Sequence, residues 1–373
     1  MNENNGRIYL LDLARAIAAV SVVLQHYQHF YFVKSEKFER SLQPLYDIIG
    51  PLYNFGSQAV PFFYMLSGFI FFQFYFNKIY KKEISFKNFF VLRFSRLYPL
   101  HFITLILTLI FQYIYFNIEN NFFIFKENNI INFFKHLFLV QQWPFIKEMS
   151  AEAFNAPSFS VSVELFLYLS FFIFSLRFMK NILEVLIVIL ISTFLYYWYE
   201  TNLTLGFVLF YYGGFVFHLT KIISLLLKKF QKIVLFLIFI ISVIVFSNLL
   251  DEFFVSMQLE IQKIYGGRLM LFLYFVKLPL VIINICIIQN FFNNLGSNVQ
   301  ILGDISYTIY LTHFPLQIIL FILNDRYLFL NYNNITFFLI YIFTVLSFSY
   351  VVYKYIELPS KIYIRNLLIK NKL

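Results

Sequence analysis

In the stretch RIYLLDLARAIAAVSVVLQHYQHF, Asp12, Arg15 and His26 interrupt an otherwise apolar run. At about 100° per residue, a helix brings His26 to within roughly 20° of Arg15 around its axis and Asp12 to within roughly 60°, with about 16 Å of rise from Arg15 to His26. Ionisable groups inside a bilayer are costly and face a cavity or one another, which makes this stripe a candidate site. His26 supplies the general base, because an imidazole can exchange a proton near neutral pH. An interfacial Asp12–Arg15 pair, with His26 merely closing the far end of the helix, is the competing reading.

A second set lies in APSFSVSVELFLY, where Ser160 and Glu164 are four residues apart and share one helix side. A carboxylate at the depth of His26 would orient the imidazole and raise its basicity. Glu164 also fits a capping residue at a helix start. In FVLRFSRLYPLHF, Arg93 and Arg96 are three apart, a spacing suited to clamping a phosphate and equally to ordinary cytoplasmic anchoring. With Arg15 deeper on the same side, they outline a basic path along which a phosphorylated donor could extend toward His26. Ser67 and Gly68, which follow Pro61 in VPFFYMLSGFIFF, fit a tunnel wall or small-residue helix packing, as do Gly213, Gly214 and His218. Tyr310 and His313 in LGDISYTIYLTHFPL complete the candidates, with His313 near mid-membrane and open to a purely structural role. Glu357–Pro359 reads as a helix stop.

The elements that must hold these groups are membrane helices. The chain is 60% hydrophobic and 13% charged, with 54 Phe and 28 Tyr, whereas soluble domains carry about a quarter charged residues. Stretches long enough to cross a bilayer fall at 8–30, 57–77, 97–117, 159–178, 181–199, 203–220, 232–250, 268–289, 301–323 and 335–356. The expected fold is thus an all-α integral membrane protein, a single domain over 1–373 forming one bundle of about ten transmembrane helices. Eighteen Lys and Arg lie on one side of these spans and nine on the other, which puts both termini in the cytoplasm. The net charge of +10 follows from that bias and does not imply nucleic acid. Asp12 and Arg15 argue against a cleaved signal peptide and for a retained first span.

The lone Cys286 sits in an apolar run, so a disulfide framework and a cysteine-based metal site are excluded. The chain has no HExxH, Walker loop or GxSxG elbow, which disfavours metal hydrolysis and ATP-driven transport. Neither a metal nor a permanently bound cofactor is expected. The segment 118–158 faces outside as a lid, a binding surface or a simple connector, and KHLFLVQQW within it fits an interfacial helix.

Taken together, LDLARAIAAVSVVLQH, VPFFYMLSGF, RFSRLYP, SFSVSVELFLY, LGDISYTIYLTH and IELP resemble, in order and separation, the acyltransferase-3 family of membrane-bound bacterial enzymes that acylate surface polysaccharides. The resemblance covers almost the whole chain. It implies that Arg15 and His26 are the essential pair, with Glu164 as the acidic partner. It further implies that Arg93 and Arg96 bind acyl-CoA, most simply acetyl-CoA, as the donor substrate. Asp12, Ser67, Ser160, Tyr310 and His313 would line the tunnel or support the catalytic groups. Ala14 and Ala16 stand where the family often has Leu and Gly, and alanine is small enough to preserve close packing. Some relatives carry a C-terminal extracytoplasmic hydrolase-like domain; transfer here is expected within the membrane domain or with a separate partner.

The expected activity is an O-acyltransferase of the bacterial inner membrane. It would move an acetyl group to a sugar hydroxyl of a surface polysaccharide, such as lipopolysaccharide, or of its lipid-linked precursor. A polysaccharide-precursor transporter, flippase or polymerase is the alternative, since intramembrane Arg, His and Glu also suit transport pathways. Paired discontinuous spans or a two-half repeat would favour transport, and neither is visible.

Overall fold

A bilayer offers no water to backbone groups, so long apolar runs satisfy them internally as helices. The computed structural model describes residues 7–33, 38–144, 152–179, 181–246 and 270–369, and every regular element among them is helical. In chain order the principal helices are α1 (Tyr9–His26), α2 (Tyr46–Phe74), α3 (Phe86–Glu119), α4 (Ile130–Leu137) and α5 (Phe159–Arg177). They continue as α6 (Ile182–Trp198), α7 (Asn202–Phe246), α8 (Met270–Phe291), α9 (Gln300–Leu323), α10 (Ile335–Val352) and α11 (Leu358–Leu368).

Among the described residues, seven helical stretches are long and apolar enough to cross a membrane: Tyr9–Val33, Tyr46–Phe74, Phe86–Glu119, Ala156–Arg177, Tyr274–Phe291, Ser297–Leu328 and Ile335–Leu368. This is the architecture of a multi-pass membrane protein. Three of the ten expected spans are not among the seven. The segment 181–199 forms α6, which is apolar but only 17 residues long. The segments 203–220 and 232–250 fall in α7, a 45-residue helix broken at Phe230 (φ −132°, ψ 43°). Residues 247–250 and 268–269 of the expected spans, and 145–151 of the 118–158 segment, lie outside the described residues.

One helix starts well before its apolar run. Ser85 caps α3 by accepting a hydrogen bond from the Asn88 amide at 3.2 Å, and the helix then runs through Arg93 and Arg96 before reaching the lipid-like sequence. At the other end of the chain, Glu357–Pro359 is not a stop. A π-helical turn, Tyr353–Glu357, leads directly into α11, whose first turn accepts Pro359 because that position needs no amide donor. The interfacial helix also differs from expectation. Asn129 caps α4 and Leu139 (φ 56°) follows its end, so Gln141, Gln142 and Trp143 turn back and bond Ser158 and Ser162 at the start of α5.

The core is organised around α1, which packs on both α2 and α9. Close backbone approach fixes α2 against α7. A Cβ on Gly68 would lie 1.7 Å from the Phe210 carbonyl oxygen, and one on Gly213 would lie 1.9 Å from that of Met65. The packing reading of these glycines is therefore the correct one, as expected where small residues let membrane helices touch. Prolines leave i−4 carbonyls without amides, and side chains from elsewhere in the bundle satisfy two of them. The Tyr212 hydroxyl donates to Phe275 O at 2.9 Å, which Pro279 frees, and Asn155 Nδ2 donates to Leu311 O at 3.0 Å, which Pro315 frees.

Candidate functional site

The i, i+3 spacing of Asp12 and Arg15 on α1 becomes an ion pair, with Arg15 Nη2 hydrogen bonded to Asp12 Oδ1. Arg7 bridges Asp12 Oδ2 at 2.5 Å and Asp304 Oδ1 on α9 at 2.7 Å. Asp12 thus holds two arginines and ties the start of α1 to α9. The Arg15 Nε is buried without a hydrogen-bond partner among the described residues.

Beyond this network lies a cavity of about 80 Å³, lined by Arg15, Ser67, Arg96, Ser160, Glu164, Tyr168 and Tyr310 together with aromatic residues of α2. Five helices contribute its charged groups and hydroxyls: α1 gives Arg15, α2 gives Ser67, α3 gives Arg96, α5 gives Ser160, Glu164 and Tyr168, and α9 gives Tyr310. Arg96 makes no hydrogen bond among the described residues and lies in the field of Glu164 and Glu357. Arg15 and Arg96 repel one another across the space. Two guanidinium groups so placed make a receptor for an anionic or strongly polarised group.

Glu164 accepts from Ser67 Oγ at 3.1 Å and from the Tyr168 hydroxyl one turn on. It therefore neither caps a helix nor orients His26, and the expected Glu164–His26 pair is not formed. Ser160 and Glu164 do share one side, both facing the cavity. Arg93 separates from Arg96: it is 5% exposed, bonds the Tyr75 hydroxyl and sits over the rings of Phe71 and Tyr75 at 5.1 and 4.5 Å. The expected Arg93–Arg96 clamp is replaced by an Arg15–Arg96 pair.

Tyr310, which lines the cavity, donates to Pro157 O at 2.8 Å and is bonded to Ser160 Oγ at 2.8 Å. Its ring lies 6.2 Å from that of His313, and His313 Nε2 is 2.8 Å from His26 Nδ1. His29 stacks on His26 with ring centroids 4.8 Å apart, a contact made possible because α1 ends at His26 and a short turn brings the next helical residues back over it. Gln317 on α9 bonds both the His26 carbonyl at 2.8 Å and His29 Nδ1 at 3.1 Å. Three of the six histidines of the chain thus meet at one place, with a glutamine bracing them.

His29, Gln317, Tyr168 and Glu357 were not among the sequence candidates. Gln317 carried a usable signal, since it follows His313 by four residues on an apolar helix and so shares its face, whereas His29 is brought against His26 by a turn after α1 ends. Glu357, read as part of a stop, is 6% exposed and accepts from Thr308 Oγ1 at 2.5 Å.

A protein-family model described as an acyltransferase domain matches residues 8–354. Neither a curated protein nor a solved structure matches the chain.

Proposed function

Since the chain belongs to the acyltransferase-3 family and is a membrane acyltransferase, we propose that it is an O-acyltransferase that moves an acetyl group from cytoplasmic acetyl-CoA to a sugar hydroxyl. The acceptor is a surface polysaccharide, such as lipopolysaccharide, or its lipid-linked precursor, and the enzyme resides in the bacterial inner membrane. Both termini face the cytoplasm in this reading, which the two-to-one bias of basic residues supports. The donor approaches from the Arg96 end, where Arg15 and Arg96 receive its polar or anionic portion. The acceptor approaches His26 from the opposite side.

The sugar hydroxyl oxygen attacks the thioester carbonyl carbon while His26 takes the hydroxyl proton. The carbon–sulfur bond then breaks, and the proton passes to the departing CoA thiolate, which leaves an O-acyl sugar and free CoA. Tyr310 donates to Pro157 O and accepts from Ser160 Oγ, which fixes both hydroxyls in the cavity wall. Glu164, held by Ser67 and Tyr168, balances the charge of Arg96 while the donor is absent.

The observation that carries this reading is a cavity lined by Arg15, Arg96 and Tyr310, the Tyr310 ring lying 6.2 Å from that of His313, which is hydrogen bonded to His26. The test is NMR of the surface glycan from cells lacking the gene. Loss of O-acetyl signals with the polymer intact is expected. Disappearance of the whole polymer would refute acyl transfer and support transport or polymerisation.

A further inference from the structure

We propose that His313 is a positioning residue that fixes the tautomer of His26 and leaves His26 Nε2 unprotonated, ready to accept a proton; this rests on the acyl-transfer reading above. The assignment starts from an atom whose role is unambiguous. His313 Nδ1 lies 3.3 Å from the backbone carbonyl of Ile309 on its own helix. A carbonyl oxygen only accepts, so Nδ1 carries the hydrogen, and a neutral imidazole has one N–H. His313 Nε2 therefore presents a lone pair, and His26 Nδ1, 2.8 Å away, must donate to it. The lone pair of His26 is then on Nε2. The reverse assignment would aim the His313 Nδ1 lone pair at a carbonyl oxygen in a site with no solvent to relieve it.

Gln317 closes the frame by the same logic. Its Nε2 donates to the His26 carbonyl, which fixes the amide orientation, so Oε1 faces His29 Nδ1 and accepts from it. His29 is thereby held with its ring against that of His26, and the imidazole of His26 cannot rotate without breaking its bond to His313 and its stacking on His29.

Burial separates the two roles. His313 is 0% exposed with both ring nitrogens engaged, so it cannot reach a substrate. His26 is only partly buried, and its Nε2 has no hydrogen-bond partner among the described residues. When His26 Nε2 takes a proton, the existing Nδ1–H bond to His313 becomes charge-assisted and strengthens, and His313 need not move its own proton. A neutral acceptor suits this depth, where a carboxylate in the same position would be expensive to keep ionised before the reaction.

The test compares three variants of the full chain in detergent, with acetyl-CoA as donor and isolated glycan as acceptor, alongside ¹⁵N NMR of histidine-labelled protein. In His313→Gln the amide oxygen can still accept from His26 Nδ1, whereas in His313→Leu nothing can. Leu is expected to lower kcat about 10²-fold with the donor KM unchanged, and Gln to stay within about tenfold of wild type. In wild type, the His26 resonances should report a protonated Nδ1 and an unprotonated Nε2. Equal losses in Leu and Gln, or a protonated Nε2 in wild type, would overturn the proposal. The wild-type spectrum decides even if a variant fails to fold. Full activity in His26→Ala would instead sink the acyl-transfer role of His26, and the wild-type spectrum would still decide the tautomer.

Discussion

At one end of the site, Arg15 and Arg96 keep their charge and are surrounded by Asp12, Glu164 and Glu357. At the other, beyond Tyr310, His26, His29 and His313 are joined through neutral rings and a glutamine, with no carboxylate among the described residues bonded to any of them. Both ends draw on α1, with α3 adding Arg96 at one and α9 adding His313 and Gln317 at the other, and both lie inside an apolar bundle. The arginine end holds standing charge, offset in advance by fixed counter-charges, and so suits a ligand that brings charge of its own. The histidine end holds none until a proton arrives, which suits a group that must change protonation state during a reaction.

That contrast is broken first at His26. Replacing it with Ala should lower acyl transfer by about 10³-fold while binding of CoA, followed by isothermal titration, stays near wild type. A large loss of CoA affinity in this variant would mean that the two ends are not separate in role. Next in size is Arg96→Gln, expected to raise the donor KM between about tenfold and a hundredfold, because a charge-assisted hydrogen bond contributes about 1.5–3 kcal/mol. Arg93→Gln sharpens the comparison. Its guanidinium is occupied by Tyr75 and Phe71, so the expected loss is in thermal stability, by about 1–2 kcal/mol, with KM little changed. A KM effect in Arg93→Gln equal to that in Arg96→Gln would restore the clamp that the spacing implied. Gly68→Ala tests the wall behind both ends. The added methyl must displace the Phe210 carbonyl, and unfolding in detergent should show destabilisation of about 1–3 kcal/mol.

The helices were legible because a bilayer enforces long apolar runs, and the Asp12–Arg15 pair was legible because both residues lie on one helix whose period is fixed. What failed involved the relation between helices. His26 and Glu164 were paired by depth, but depth says nothing about which way two helices face, and His313 on α9 holds the position that Glu164 was expected to take. Arg93 and Arg96 lie roughly 60° apart around α3, enough for one to face the cavity and the other an aromatic cluster of α2. Glu357 looked like an ending because Pro follows soon after, yet Pro in the first turn of a new helix costs no hydrogen bond. Gly68 and Gly213 could be assigned to packing only once the partner backbone was known.

The contact between α2 and α7 has a consequence for how the substrate range of such a chain can change. Ser67 lines the cavity, and its neighbour Gly68 already touches the backbone of α7, so this wall has no slack to yield. Room for a longer acyl chain cannot come from pushing α2 back. It has to come from other parts of the lining, such as Ser160 on α5 and Ser306 on α9. Drift in donor length among descendants of this sequence would therefore be written in α5 and α9, while α2 stays as the fixed edge against which length is measured.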